Sequence, residues 1–346
     1  MKAQLLQNIN ACLITSKANR QYYTGYDASN GIIVLTEDED YFLTDFRYIE
    51  EASNFLGKNY IVKTYSDENL EDTLKEILKD AKFVGIEEEI SYSAYKKLIA
   101  SLKGFKVKDI SSILNTLRSV KTAAEIEHIE LSQCINDKTF NKIKSVIKEG
   151  ISERDLSVEL KYQLLKNGAD EFAFEPIVAF SKNTSKPHAK VSSQKLKNGD
   201  IIMLDFGAKY NNYCSDMTRT FCFGKCDDDN IISAYNLVLK AQEAAFNYIK
   251  PGAQAFEAFE IVREIFMANG CLENFGHGLG HGVGLDIHEF PNLKQTSSDI
   301  LKSGMVVTVE PGLYYKNYFG IRIEDLVIIT NDGIINLTKS DKNFNF

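Results

Sequence analysis

The chain has 346 residues, of which 44% are hydrophobic and 25% charged, an ordinary soluble composition with room for two domains and a large core. Its formal charge of -8 lacks the basic balance that non-specific nucleic-acid binding needs. No stretch approaches the roughly 18 uninterrupted apolar residues of a membrane span, and Met1-Lys-Ala-Gln-Leu-Leu-Gln-Asn8 has no apolar signal-peptide core, so a cytoplasmic location is expected.

Up to about residue 115 the chain alternates strand and helix patterns. Residues 31–36 and 40–44 read as paired strands across an acidic turn, and residues 70–78 and 93–102 as helices. A domain boundary is expected between Asp109 and Lys121, dividing the chain into 1–118 and 119–346. Thr122-Ala-Ala-Glu125 is a capping box. It opens a helix with Ile126, Ile129 and Phe140 on its apolar positions, ending by Gly150. Residues 152–166, 231–249 and 255–268 are further amphipathic helices, with strands that carry acids between and after them. The order fits an α/β (α+β) chain whose second part is a curved antiparallel sheet backed by helices.

The first acids fall in Ile201-Ile-Met-Leu-Asp205-Phe-Gly-Ala and Tyr213-Cys-Ser-Asp216-Met-Thr-Arg-Thr, both β-prone. A hairpin with Tyr210-Asn211 at its tip places Asp205 directly opposite Asp216, roughly 5 Å apart at Cβ. Two buried carboxylates so close need a proton or a cation between them.

Three of the five histidines follow in Phe275-Gly-His277-Gly-Leu-Gly-His281-Gly-Val-Gly-Leu-Asp-Ile-His288-Glu-Phe-Pro291. The alternating glycines allow close approach of backbone and substrate. No Lys-Ser/Thr follows and no strand-then-helix context is present, so neither a P-loop nor a dinucleotide fingerprint is read here. Met305-Val-Val-Thr-Val-Glu310-Pro311 is a strand ending on an acid. Residues 319–329 read as one strand, with Arg322 and Glu324 on one face and Ile321 and Ile323 on the other. Asp205, Asp216, His281, Glu310 and Glu324 together form an oxygen-rich set suited to two divalent cations, which can activate a water and polarise a carbonyl together.

The motifs Leu204-Asp-Phe-Gly207, Ser215-Asp-Met-Thr218, Gly280-His-Gly-Val-Gly284, His288-Glu-Phe-Pro291, Thr308-Val-Glu-Pro-Gly312 and Ile321-Arg-Ile-Glu-Asp325 resemble those of the pita-bread metallopeptidases, which include methionine aminopeptidase, aminopeptidase P and prolidase. The resemblance implies a pita-bread catalytic domain in which Asp216 and Glu324 bridge two metals. Asp205 would complete one metal site, and His281 and Glu310 the other. It implies that His188, His277 and His288 serve the substrate or the tetrahedral intermediate, and that Arg322 stands behind the bridging glutamate. A homodimer is implied as well. Asn19-Arg-Gln-Tyr-Tyr-Thr-Gly25 and Thr44-Asp-Phe-Arg-Tyr-Ile-Glu-Glu-Ala52 are similar to the N-terminal creatinase-like domain of Xaa-Pro peptidases, which methionine aminopeptidases usually lack.

The expected activity is therefore dimetal hydrolysis of an Xaa-Pro bond. One imidazole among four carboxylates favours Mn²⁺, with Co²⁺, Fe²⁺ or Zn²⁺ able to substitute. Glu310 is expected to carry the proton to the leaving nitrogen, and His277 or His288 to stabilise the oxyanion. His188 and Tyr314 are expected beside the proline. No second arginine motif offers itself to a substrate carboxylate, so the expected substrate is a longer peptide with proline second (aminopeptidase P), with the dipeptidase (prolidase) as the alternative. A catalytically silent peptide-binding module on the same fold is the third reading. The scattered cysteines Cys12, Cys134, Cys214, Cys222, Cys226 and Cys271 read as reduced thiols.

Overall fold

The run Ala11–Ile14 is apolar at every position and wholly buried, the pattern of a strand covered on both faces. Successive side chains point to opposite sides. Cys12 and Ile14 enter one core cluster with Ile33, Leu35 and Phe42, whereas Ala11 and Leu13 enter another with Ile32, Val34 and Val84. The computed structural model describes residues 1–346, which form two compact units, Met1–Arg118 and Ser119–Phe346. In the first unit Ala11–Ile14 lies centrally in a six-stranded sheet, antiparallel to Ile32–Thr36 and parallel to Phe83–Ile86. Ile32–Thr36 pairs antiparallel with Asp40–Thr44, as the acidic turn between them predicts.

The second unit opens on the helix Ala123–Lys144, whose capping box is formed in full by Thr122 and Glu125. Behind it lie two antiparallel sheets. One contains Ile177–Phe180, Ile201–Phe206 and Met217–Cys222; the other runs from Glu289–Leu293 through Gly280–Gly282, Val306–Val309 and Asp325–Ile329 to Ile334–Asn336. A bridge between Thr218 and Glu324 joins the two. The helices Ala123–Lys144 and Glu153–Lys166 pack on the first sheet, and Asp229–Tyr248 and Ala255–Ala268 on the second. This is the pita-bread arrangement that the resemblance implies.

Two local expectations are corrected. The hairpin tip is Asn211-Asn212, not Tyr210-Asn211, because both asparagines take positive φ, 47° and 69°. A two-residue tip of this kind needs left-handed backbone at both positions, which Asn tolerates and Tyr resists. The register therefore shifts, so that Asp205 faces Thr218 and Asp216 lies between the strands Tyr213–Cys214 and Met217–Cys222. Residues 319–329 are not one strand. Phe319–Arg322 pairs with Gly312–Tyr315, while Asp325–Ile329 joins Val306–Val309. The chain crosses from one sheet to the other at Ile323-Glu324, which places Glu324 at the junction.

The junction is fastened by charge. Arg219 is buried, donates to Asp325 at 2.7 Å and also to the carbonyls of Glu324 and Ser340. Lys342 reaches the other oxygen of Asp325 at 2.5 Å. Removing one partner of a buried pair leaves the other charge uncompensated. Because Lys342 remains, Arg219→Met is expected at the lower end of such losses, about 3 kcal/mol of unfolding free energy, measured by urea denaturation.

Candidate functional site

Asp216 is placed by its neighbours. The hydroxyl of Ser132, in the helix Ala123–Lys144, donates to the carbonyl of Ala208 at 2.9 Å. Asn136 on the same helix donates to Ser215 Oγ at 2.9 Å and accepts from the backbone N–H of Ala208. These bonds seat the turn that carries Ser215 and Asp216 on a buried helix face. His281 is placed by the absence of side chains. A Cβ on Gly280 would lie 2.1 Å from the carbonyl oxygen of Thr308, and one on Gly282 would lie 2.2 Å from that of Phe290. Only glycine lets the His281 strand lie so close between its neighbours.

The fold brings all five candidate ligands to one cavity of about 540 Å³, whose wall also includes His188, His277, His288 and Arg322. Asp205, Asp216, His281 and Glu324 are only 8%, 5%, 8% and 2% exposed. Ligand atoms of Asp216, His281 and Glu324 lie within 4.8 Å of one another. His281 Nε2 is 3.7 Å from Asp216 and 3.4 Å from Glu310. His281 Nδ1 lies 3.0 Å from the carbonyl of Gly282, to which it donates, so Nε2 keeps its lone pair for the site.

Burial raises all four carboxyl pKa values. For Asp216 and Glu324 the neighbouring carboxylates add to the shift. Burial carries Glu310 up to about 7, against the opposing pull of Arg322, and raises Asp205 against the same arginine. Burial moves His281 the other way, to about 4. Asp216 Oδ1 is buried without any hydrogen-bond partner. An orphaned carboxylate oxygen, an unprotonated imidazole and clustered acids fit divalent cations, which would satisfy the orphan and neutralise the repulsion.

Arg322 organises the other side of the site. It donates through Nε to Thr218 at 3.0 Å, through Nη1 to the hydroxyl of Tyr314 at 2.6 Å, and through Nη2 to Asp205. Thr218 passes its own proton to Glu324 at 2.6 Å. Arginine only donates, so the Tyr314 oxygen accepts from it and its proton must go elsewhere. It goes to Nε2 of His277, 3.0 Å away, while Nδ1 of His277 donates to the carbonyl of Gly278 at 2.7 Å. Both nitrogens of His277 are thereby committed, and burial lowers its pKa to about 4.

Sequence reading does not foresee the threonines. Thr218 holds Glu324, and Thr308 donates to Glu310 at 3.2 Å while accepting from the backbone N–H of His281. The signal is period two: Thr218 stands two residues after Asp216 and Thr308 two before Glu310. Tyr314 is corrected too, since it is buried behind His277 rather than on the cavity wall.

A group whose pKa is raised on folding supports stability below its unfolded value and loses that support as pH rises through its folded value. For Glu310 this window runs from 4.5 to about 7. His277 and His281, lowered from 6.5 to about 4, act in the opposite sense up to 6.5, so protein stripped of divalent cations should show its melting temperature fall from about pH 6.5 upward as the buried carboxyls ionise. Saturating divalent cation should remove the fall, as followed by scanning calorimetry.

The comparisons with known proteins agree on one family. Residues 127–331 match the model of metallopeptidase family M24, and residues 5–120 that of the creatinase/prolidase N-terminal domain. The chain is 35% identical to a Xaa-Pro dipeptidase of Pyrococcus furiosus over 97% of its length and 95% of that protein. Its structure resembles a Xaa-Pro dipeptidase from Bacillus anthracis with a TM-score of 0.93 and 34% identity, covering 100% of this chain and 99% of the other. It also resembles an X-Pro aminopeptidase from Thermotoga maritima, with a TM-score of 0.89, 32% identity and 100% of both chains covered. No helix is long and apolar enough to cross a membrane. With an N-terminal creatinase-like domain and a C-terminal pita-bread domain, the chain belongs to metallopeptidase family M24 and is a metallopeptidase.

Proposed function

We propose that this metallopeptidase is an Xaa-Pro dipeptidase, in place of the aminopeptidase P expected from sequence. The observation that carries the reading is the cavity of buried carboxylates around His281, with Asp216 Oδ1 unpartnered, in a chain 35% identical to a Xaa-Pro dipeptidase over 97% of its length. The likeness to the Thermotoga maritima X-Pro aminopeptidase keeps the longer-peptide reading as the second.

Asp205, Asp216, His281, Glu310 and Glu324 are the proposed ligands of two divalent cations, with Mn²⁺ the proposed ion. Such cations would supply Lewis acidity at the scissile carbonyl and acidify the water nucleophile. The chain's own groups do the rest. Arg322 and Thr218 hold Asp205 and Glu324 in place before substrate arrives, so little reorganisation is needed during reaction. His277 has no proton free for an oxyanion, since its Nδ1–H is given to Gly278 and its Nε2 accepts from Tyr314. His288, more exposed and on the cavity wall, is therefore the proposed oxyanion donor. His188, also on the wall, is placed beside the proline ring. A proline amide has no N–H, so its nitrogen must gain a proton to leave. Glu310, on the cavity wall beside His281, is the proposed carrier of that proton.

Metal-stripped protein should be silent on Ala-Pro and Ala-Pro-Ala and regain activity with Mn²⁺, chiefly on the dipeptide. Preference for the tripeptide would move the assignment to aminopeptidase P, and silence on both with metal bound would favour the peptide-binding module. Glu310→Ala should abolish turnover; near-native rates in metal-saturated protein would remove its proton-carrying role. His288→Ala should lower kcat roughly 100-fold and His277→Ala by less, measured under metal saturation. The reverse order would reassign the oxyanion donor.

A further inference from the structure

A dipeptidase must distinguish a free C-terminal carboxylate from a continuing peptide, and a fixed positive charge is the usual physical means. Two residues of the cavity wall carry a permanent positive charge, Arg322 and Lys294. Arg322 is spent, with its nitrogens donating to Thr218, Tyr314, Pro187 and Asp205. Glu175, another carboxylate on the cavity wall, is already paired with Lys161. The Lys294 ammonium forms no hydrogen bond or ion pair, and the residue is exposed at the cavity.

Its root is well placed. Lys294 directly follows the strand Glu289–Leu293, and with period two it stands on the same side as Asn292, which also lines the cavity. The backbone N–H of Leu279 donates to the carbonyl of Leu293 at 2.7 Å. A Cβ added at Gly278 would come 3.4 Å from the Cβ of Lys294. The stem of Lys294 therefore springs from the cavity wall beside His277-Gly278, and its flexible four-carbon chain carries a compact charge into the opening.

We propose that Lys294 is the residue that selects dipeptides, by pairing its ammonium with the carboxylate of the substrate's C-terminal proline. The inference rests on the dipeptidase reading above. It gives the cavity two unlike ends: acids and His281 for the scissile bond, and a single cation for the substrate terminus. It also accounts for specificity without a second arginine, since lysine offers a point charge where a carboxylate needs only one strong partner.

The test compares hydrolysis of Ala-Pro with that of Ala-Pro-amide, which lacks the carboxylate, by Mn²⁺-saturated wild type, K294M and K294R. The wild type should prefer Ala-Pro. K294M should raise KM for Ala-Pro roughly tenfold, with kcat changed far less, and should lose discrimination between the two substrates. K294R should keep it. A K294M protein that discriminates as well as the wild type overturns the anchor while leaving the dipeptidase reading intact. A wild type that treats the amide and the acid alike overturns the dipeptidase reading and the anchor with it.

Discussion

Four carboxyl groups crowd one cavity with a single committed arginine, and most of the catalytic unit is arranged around that constraint. Burial weakens the screening of these charges by water, and one guanidinium cannot neutralise four acids. The protein answers with geometry. Arg322 takes Asp205 directly and reaches Glu324 through Thr218, while Thr308 supports both His281 and Glu310. What remains unbalanced is the Asp216 side, where an oxygen has no partner at all. A site left incomplete in this way is built to be finished by cations.

The same network divides labour among the histidines. Three sit within 12 positions of sequence, yet their surroundings make them unlike. His281 turns a bare nitrogen toward the acids, and His277 is locked by Tyr314 and Gly278. His288 stays on the open wall, where burial lowers its pKa but Asp205 pulls the other way. Tautomer and exposure, rather than residue type, separate the proposed ligand His281 and the proposed donor His288 from the locked His277.

Much of this was legible in the chain because the signals were local. The Thr122–Glu125 box, the glycines flanking His281 and the acid ending the run Val306–Val309 each carry their meaning within a few residues. The errors came where meaning is set at a distance. The hairpin register depended on two consecutive left-handed asparagines, and a small shift sent Asp205 opposite Thr218. The alternation through Ile321 and Ile323 continues unbroken although the chain changes sheets there, because both isoleucines stay buried in the same core. Thr218, Thr308 and Lys294 gained significance only from what they face. The proposed specificity turns on the same kind of signal: an arginine motif was sought in sequence, while the cavity wall offers a lysine.

The crossing at Ile323-Glu324 also bears on how the site is assembled. Asp205 and Asp216 belong to the half of the catalytic unit built on the first sheet. His281, Glu310 and Glu324 belong to the half built on the second. Each half alone holds only part of the proposed ligand set. The proposed cation site is thus a property of the assembled domain, complete only where the two sheets meet.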